Sequence, residues 1–535
     1  MTFHSNDFIP LRNHLPIPPH DALLVVPLGG TSRVGMNATL VGHAGRWILV
    51  DVGATFAGAD DTRSHDLAER HGGVLEQIIP DFRAVAANMG RIDGIVLTHA
   101  HEDHVGGIRP LFAFSDLWPR LTQIPIHATP YTLASVRKKL EETGAKPKLR
   151  QMQFRKPTRI GPFEIIPINV THSAPETAAL AIRTKAGTIV LGSDMKLDPN
   201  PVLGSVTDTR ALEFLGHSGV LAFLGDSTNA ANAGRSASEG DVRQGLAQIM
   251  SEHPGRVVVS TFASNVARLL SVAQAAHRSR RSLAMTGRSI LQNVETAKQV
   301  GALDRLDFYE PRDVARFSSS KVAMVCTGSQ AEPSSALRRM ADDFEVGRRG
   351  RGLSLDPGDL VIHSARVIPG NEQTVKAMFD TFRANGVHVL EAGGDGPLIH
   401  ASGHARRDEL ADFYRMLRPR FAVPVHGTRE LISAHTDLAM SSGVEGVLSP
   451  AEGEVLRIAE DGVSIVGRLR LGQLATIAVG GRNAGETKLV GWENAKSPDM
   501  VNRTEVRGYR PRQRDDRRGF KDRFVPDLTP APAFA

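Results

Sequence analysis

The chain has a single cysteine, Cys326, among 535 residues. No intramolecular disulfide is therefore available, a usage that fits a reducing cytoplasm. Cys326 ends the apolar run "KVAMVC" and reads as a small buried hydrophobe rather than a reactive thiol. No apolar run reaches the roughly 18 residues that span a bilayer. The first twenty residues, "MTFHSNDFIPLRNHLPIPPH", lack the cationic start and apolar core of a secretory signal. The expectation is a cytoplasmic protein without membrane attachment. No internal repeat of fixed period occurs either. Charge imbalance is confined to one stretch: of the net +6, Arg503–Arg523 carries nine Arg or Lys against four Asp or Glu, and the rest is close to neutral. That basic, apolar-poor segment reads as a disordered tail, either a solubilising terminus or a non-specific contact to phosphate backbone.

What is present is an ordinary globular composition, 41% hydrophobic and 23% charged, in a chain long enough for two to four domains. A Pro- and His-containing arm covers residues 1–20. Strand-like runs follow: "ALLVVPLGG", "GRWILVDVG", "RIDGIVLTHAH", "FEIIPINVTHS", "AALAIRT" and "GTIVLGSDM". "HATPYTLASVRKKLEETG" predicts a helix with Thr129 as N-cap, Pro130 in the first turn and Gly144 as terminator. From about Gly219 the rhythm becomes strand then helix, as in "GRVVVSTFASNVARLLSVAQAAH" and "GDLVIHSARVIPGNEQTVKAMFDTFRANG", which argues for a parallel sheet. The signals weaken after about Gly467, and an insertion at Asp60–Gly73 has no assignment.

The densest chemistry is "THAHEDHVGG", Thr98–Gly107, with three histidines and two carboxylates in six residues of a chain holding only 20 His. Each is costly to bury without a partner, and a metal ion is the first candidate. His99 and His101, two apart on extended backbone, point to the same side, an arrangement suited to Zn²⁺. Asp103 and His104 come after the chain turns, which suggests a second metal. The plainer alternative is one structural zinc, although such sites are usually closed by four ligands, often Cys. His99, Asp194, Asp226 and His426 each stand at or just past the end of an apolar run, where loops present polar groups to a cleft.

His99-x-His101-x-Asp103-His104 resembles the signature of the metallo-β-lactamase superfamily. The resemblance implies a four-layered αβ/βα sandwich. It further implies that Asp51 in "LVDVG" orients the metal loop without binding metal, that His172 in "NVTHS" completes the first site, and that Asp194 in "LGSDMK" bridges two ions. "GDSTNA", "STFASNVAR", "TGSQAEP", "VIPGNE", "HASGH" and "PVHG" follow in order, and together they resemble the ribonuclease J family of the β-CASP branch over residues 22–465. By that resemblance the second metal is held by Asp103, His104, Asp194 and His426. Asp194, Asp226 and His404 are the catalytic set. Ser264, Asn265, His400, Ala401, Ser402, Gly403 and His404 grip RNA, with Ser264 and Asn265 at a helix start where hydroxyl, amide and N–H groups hold a phosphate. Plain capping is the alternative for Asp226, Ser264 and Asn265. Against the family's usual pattern, Ala331 replaces a glycine, His363 a serine and Thr428 a glutamate. His217, His253, His277 and His435 read as solvated.

The implied fold class is α/β: a metallo-β-lactamase domain over 21–235 and 406–467, an inserted Rossmann-like β-CASP domain over 236–405, and a degenerate C-terminal region over 468–535. The implied activity is a two-metal ribonuclease, 5′→3′ exonucleolytic from 5′-monophosphate ends with endonuclease activity besides, in RNA processing and decay. Two divalent ions serve as cofactors, Zn first and Mn or Mg as alternatives. RNA is the partner, other RNA-decay proteins or the ribosome are further ones, and the chain is expected to form a homodimer. The competing readings are a thioester or lactone hydrolase on the same scaffold, and a non-catalytic RNA-binding subunit.

Overall fold

The computed structural model describes residues 10–11, 15–31, 33–57, 61–86, 88–115, 120–304, 306–345, 354–394, 396–479, 487–492 and 507–509. The basic tail at 503–523 lies outside these apart from Arg507–Tyr509, as do residues 1–9 and 12–14 of the arm. Pro10–Leu11 pairs with the end of strand Gly462–Leu469, and Leu15 is buried.

Two sheets lie face to face. One is ordered Pro10–Leu11, Gly462–Leu469, Glu454–Ala459, Leu23–Gly29, Ala38–His43, Arg46–Val50, Ile92–Val96, Ile126–Ala128, Leu149–Gln151. The other runs Gly446–Val447, Phe421–Val425, Ala222–Asp226, Gly187–Leu191, Ala178–Thr184, Phe163–Asn169, Thr158–Ile160. Successive side chains on a strand point to opposite faces. Leu23, Val25, Ile48 and Val50 therefore meet Ile165, Leu180, Ile189 and Leu224 between the sheets. Leu24, Val26, Trp47 and Leu49 turn outward onto Ile108, Leu111, Leu133 and Val136. Ile166, Ala181, Val190 and Phe223 turn to Leu212, Leu410, Phe413 and Leu438 on the far side. With both faces covered, these strands are near-continuous apolar runs, and each fully buried aliphatic contributes about 1.5–3 kcal/mol. The result is helix, sheet, sheet, helix.

The strand–helix block forms a five-stranded, wholly parallel sheet, ordered Ser282–Thr286, Val322–Cys326, Val257–Ser260, Leu360–His363, His388–Glu391. Helices Glu239–Glu252, Val266–Arg278 and Arg288–Gln299 cover one face, and Ala336–Glu345 and Glu372–Ala384 the other. Ala100, between the first two histidines of the cluster, and Tyr131 pack into this block's core. The two units thus meet at the metal loop. Cys326 is buried among apolar neighbours, and burial pushes its thiol pKa up.

Several expectations need correction. The weak stretch past Gly467 holds strands Gln473–Val479 and Thr487–Trp492. They pair antiparallel in one sheet with Gly73–Pro80, the strand that follows the unassigned insertion. The insertion itself forms helix Thr62–Arg70. "QLATIAV" is strand-like by itself, but its partner "GVLEQIIP" lies far away in the chain, and together the strands share one small core. Thr129 precedes helix Pro130–Leu140, but its hydroxyl donates to the Glu176 carbonyl, and the Glu176 carboxylate instead accepts from the Tyr131 N–H (2.6 Å). Gly144, at φ 69°, closes a 3₁₀ turn that follows the helix. His435 is fully buried rather than solvated. Its Nδ1 pairs with Ser227 Oγ and its Nε2 with Tyr414 Oη, each at 2.9 Å. Its spacing to Leu438 and Ala439 on helix Arg429–Ser441 puts it on the apolar face. His253 is half-buried. No helix of the described residues is long and apolar enough to cross a membrane.

Ala331 sits at φ 53°, in the left-handed region where a glycine is at ease and an alanine is strained. Ala331→Gly is expected to raise stability by about 1 kcal/mol, read as a shift of the urea midpoint; an unchanged or lowered midpoint contradicts it.

Candidate metal centre

The site gathers at the C-terminal ends of strands of both facing sheets. Asp51 follows Arg46–Val50, His99 follows Ile92–Val96, His172 follows Phe163–Asn169, Asp194 follows Gly187–Leu191, Asp226 ends its strand, and His426 follows Phe421–Val425. Asp51, Ser193 and His426 adopt positive φ (60°, 57° and 55°). Such backbone costs on the order of 1–3 kcal/mol per residue and persists where surrounding structure enforces it.

That enforcement is visible. Residues 52–54 run alongside the turn 102–104: Val52 N donates to His104 O (2.8 Å), Ala54 N to Glu102 O (3.0 Å), and Asn37 N to Asp103 O (2.8 Å). A Cβ on Gly53 would lie 1.8 Å from Asp103 O, so only glycine permits this approach. The Asp51 carboxylate faces away from the centre. It accepts from Thr98 N (2.8 Å) and pairs with His104 Nδ1 (2.7 Å), leaving His104 Nε2 to point inward.

The inward-facing atoms form two adjoining groups. His172 Nε2 stands 3.0 Å from His101 Nδ1 and 3.5 Å from Asp194 Oδ2, which is 3.6 Å from His99 Nε2. On the other side Asp103, His104, Asp194 and His426 close a ring. Its steps are His104 Nε2–Asp103 Oδ2 at 3.5 Å, His104 Nε2–Asp194 Oδ1 at 3.1 Å, His426 Nδ1–Asp194 Oδ1 at 3.1 Å and His426 Nε2–Asp103 Oδ2 at 3.4 Å. Asp194 belongs to both groups, one oxygen to each. His99 Nε2, Asp194 Oδ1 and both ring nitrogens of His426 are buried without a well-formed hydrogen bond. Buried polar atoms normally have partners. The separations, 3.0–3.6 Å, are close to the roughly 3.3 Å between ligand atoms bound to zinc at 2.0–2.1 Å, and His426 can offer one of its two nitrogens to such an ion. His and Asp in this number suit divalent metal, and three overlapping sets converge closely enough to hold an ion: His99, His101, His172 and Asp194; His99, Asp103, His104 and Asp194; and Asp194, Asp226, His404 and His426. A small cavity of about 30 Å³ opens beside Asp194, lined also by His104, Asp226 and His426.

The electrostatics divide the histidines. Burial lowers the pKa of His99 well below the usual value and that of His172 to about 3, with the neighbouring imidazoles adding to the effect, and burial also lowers His101. All three are neutral, the form that ligates metal. For His104 and His426 burial acts downward too, but the carboxylates outweigh it: without metal His104 rises under Asp194, Asp103 and Asp51, and His426 reaches about 10 under Asp194 and Asp103, so a divalent ion bound there would displace a proton from each. Asp194 and Asp103 resist burial and stay below the usual carboxylate range because His104 and His426 adjoin them.

Asp226 and His404 sit at the rim. His404 Nδ1 pairs with Asp226 Oδ2 (2.7 Å), and its Nε2 lies 4.0 Å from Asp194 Oδ2. The second Asp226 oxygen accepts from Thr228 N (2.8 Å) and Oγ1 (2.6 Å). Asp226 therefore caps its own loop and orients His404 at once, and its Oδ1 also lies 3.5 Å from His426 Nδ1. The carbonyl of Gly403 accepts from His172 Nδ1 (2.8 Å), and a Cβ there would come within 2.6 Å of the imidazole.

Of the RNA-gripping candidates, His400–His404 lie on this rim. The helix-end grip differs from the expectation. Asn265 caps helix Val266–Arg278 by accepting from Arg268 N (2.9 Å), while Ala267 N donates to Ser173 O and Val266 N to Ser264 O. The helix's first N–H groups are occupied, so only the Ser264 hydroxyl and the Asn265 amide nitrogen remain for a ligand. Burial, with Arg268 adjacent, lowers His400 to about 3. Residues absent from the sequence reading also shape the rim. Asn229 Nδ2 donates to Ser402 Oγ (2.8 Å) and His404 O (3.1 Å), and Ser236 Oγ donates to His404 O (2.6 Å). Asn229 falls within "GDSTNA", whereas nothing local marks Ser236. His363, standing for the usual serine, directs Nε2 to Ser329 O (2.8 Å). Thr428 occupies the N-cap position of the helix after His426.

Three family descriptions match the chain in order: a β-lactamase superfamily domain over 46–212, the ribonuclease J β-CASP domain over 254–382, and a Zn-dependent metallo-hydrolase RNA specificity domain over 397–450. Ribonuclease J of Sinorhizobium meliloti is 36% identical over 453 residues, covering 83% of this chain and 76% of that protein. The chain belongs to the ribonuclease J family. By family it is a metal-dependent ribonuclease of metallo-β-lactamase fold with an inserted β-CASP domain. Ribonuclease J of Mycolicibacterium smegmatis is 37% identical over 447 residues, covering 83% of this chain and 74% of that protein. The Corynebacterium glutamicum protein is 35% identical over 471 residues, covering 87% and 62%. A crystal structure of a protein of unknown function from Enterococcus faecalis V583, 16% identical, superposes with a TM-score of 0.54 over 82% of this chain and all of that one, a likeness of fold alone.

Proposed function

We propose that the chain is a two-metal ribonuclease that hydrolyses RNA 5′→3′ from monophosphorylated ends and cleaves internally as well. The observation that carries this is the set of converging donors about Asp194: His99, His101 and His172 on one side, Asp103 and His104 with His99 on another, and His426 with Asp226 and His404 on a third, with orphaned buried atoms at His99, Asp194 and His426. Bound there, two Zn²⁺ ions would activate a water and neutralise charge on the scissile phosphate. The chain's own residues do the rest. Asp226 fixes His404 at Nδ1 and so presents Nε2 to the reacting phosphate, where it donates a hydrogen bond to developing negative charge. The loop Ala401–Gly403 lets the RNA backbone approach closely. The Ser264 hydroxyl and Asn265 amide take a terminal phosphate, and Ala267 N–Ser173 O ties that helix start to the loop after His172. The inserted unit, placed at 236–405, forms one wall of the cleft, a larger structure than a thioester or lactone needs. Homodimerisation is part of this reading, and light scattering tests it.

The experiment compares 5′-monophosphate and 5′-triphosphate forms of one end-labelled RNA, with chelator and then with added Zn²⁺ or Mn²⁺. Faster decay of the monophosphate, lost on chelation and regained with metal, is expected. Equal inertness towards both ends the reading. Asp226→Asn should keep metal content and lower kcat by about 10–100-fold, because His404 loses its orienting partner; metal analysis with single-turnover kinetics checks this, and an unchanged kcat contradicts it.

A further inference from the structure

Arg268 lies in the interior with none of its surface exposed. Its Nε and Nη2 form a two-pronged pair with Glu239 (2.6 and 2.9 Å), whose carboxylate also accepts from Ser271 Oγ (2.8 Å). Ordinary core packing would need no more. Yet Nη1 donates to Ser364 Oγ (2.6 Å), Ser364 O (3.0 Å) and Ile399 O (3.3 Å), and Nη2 reaches Ala401 O (3.4 Å). Ser364 Oγ in turn donates to Ile399 O (2.6 Å). The guanidinium fork therefore holds the backbone that leads directly into Ser402–His404.

Both ends of this network reach the metal centre. Glu239 opens helix Glu239–Glu252. Its backbone N–H donates to Asp198 Oδ2 (2.9 Å), and Ser238 Oγ donates to Asp198 Oδ1 (2.6 Å), four residues past Asp194. From the other end, Gly403 O holds His172, and His404 faces Asp194. Arg268 itself lies on the helix that begins at Asn265, where the RNA end is taken in the reading above.

We infer that Arg268 is a positioning residue for the hydrolytic step: its fork, held by Glu239, sets the placement of the 399–404 loop and hence of His404 over the scissile phosphate. The inference rests on the ribonuclease reading. A lysine at 268 keeps the charge beside Glu239 but presents a single point donor that cannot reproduce the fork.

The test uses the full-length, metal-loaded chain and a 5′-monophosphorylated, end-labelled oligoribonucleotide. Arg268→Lys should retain metal stoichiometry and a cooperative melting transition at a lowered temperature, lower kcat by about 10–100-fold when assayed well below that transition, and move KM by less than about threefold. A cycle with His404→Ala separates positioning from general loosening. If Arg268 acts through His404, then Arg268→Lys costs less than about threefold in the His404→Ala background. Wild-type kcat in Arg268→Lys, or a full multiplicative loss in the double variant, overturns the inference. Should Arg268→Lys fail to fold, Ser364→Ala takes its place. It leaves the ion pair whole, should lower kcat several-fold, and should show the same non-additivity with His404→Ala; wild-type kcat or additivity there overturns the inference equally. A wild-type chain inert on this RNA refutes the functional reading and the inference together, while an active wild type with unimpaired variants refutes the inference alone.

Discussion

Asp194→Asn is expected to reduce RNA hydrolysis by on the order of 10³-fold or more, because the step depends on an activated water that a single damaged centre no longer supplies. The asparagine matches the aspartate in shape, so circular dichroism should be unchanged. The charge matters more. Asp194 offers one oxygen to His99 and His172 and the other to His104 and His426. It is also first among the charges that raise the pKa of His104 and His426. A neutral amide lets both histidines titrate at lower pH and withdraws the carboxylate common to both donor groups. Metal content should fall with activity, measured by elemental analysis of the purified variant and by single-turnover cleavage. Full activity with full metal content would remove Asp194 from the centre.

Gly53→Ala should be the most damaging single-methyl change near the site. The added Cβ would meet Asp103 O at 1.8 Å and Asn37 N at 2.5 Å, both backbone atoms without room to rotate away. The segment 52–54 must then separate from the 102–104 turn and loosen the hydrogen bonds that hold Asp103 and His104 in place. A cost of about 3 kcal/mol is expected, or a melting-temperature drop of about 3–5 °C for a chain of this size, with weaker metal retention on the Asp103–His104 side. Gly90→Ala is the control, since no atom lies within 4 Å of its added Cβ. Equal melting curves for the two variants would show that the close approach carries no energy.

The sequence reading reached the strand–helix order of the inserted sheet and the ends of the strands that carry His99, Asp194, Asp226 and His426, because these depend on local apolar runs and their punctuation. It missed the sheet joining Gly73–Pro80 to Gln473–Val479, whose partners are some 400 positions apart, too far for either run to announce the other. It took His435 for a surface residue, since a histidine on a helix shows its face only through the neighbours that bury it. The expectation that helix N–H groups at Ser264–Asn265 await a phosphate failed for a similar reason: Ser173, from another unit of the chain, already accepts one of them.

By itself the sequence determined the kinds of donor, their order along the chain and the strand ends on which they stand, since strand periodicity, glycine and the His–Asp spacing are local properties. Only the tertiary structure decided that Asp194 divides its two oxygens between neighbouring groups, that Asp226 pairs with His404, and that buried Arg268 bonds the backbone leading to His404. Those assignments depend on which distant backbones come within 3 Å of one another, and a carboxylate or guanidinium carries no local sign of the partner that folding will bring to it.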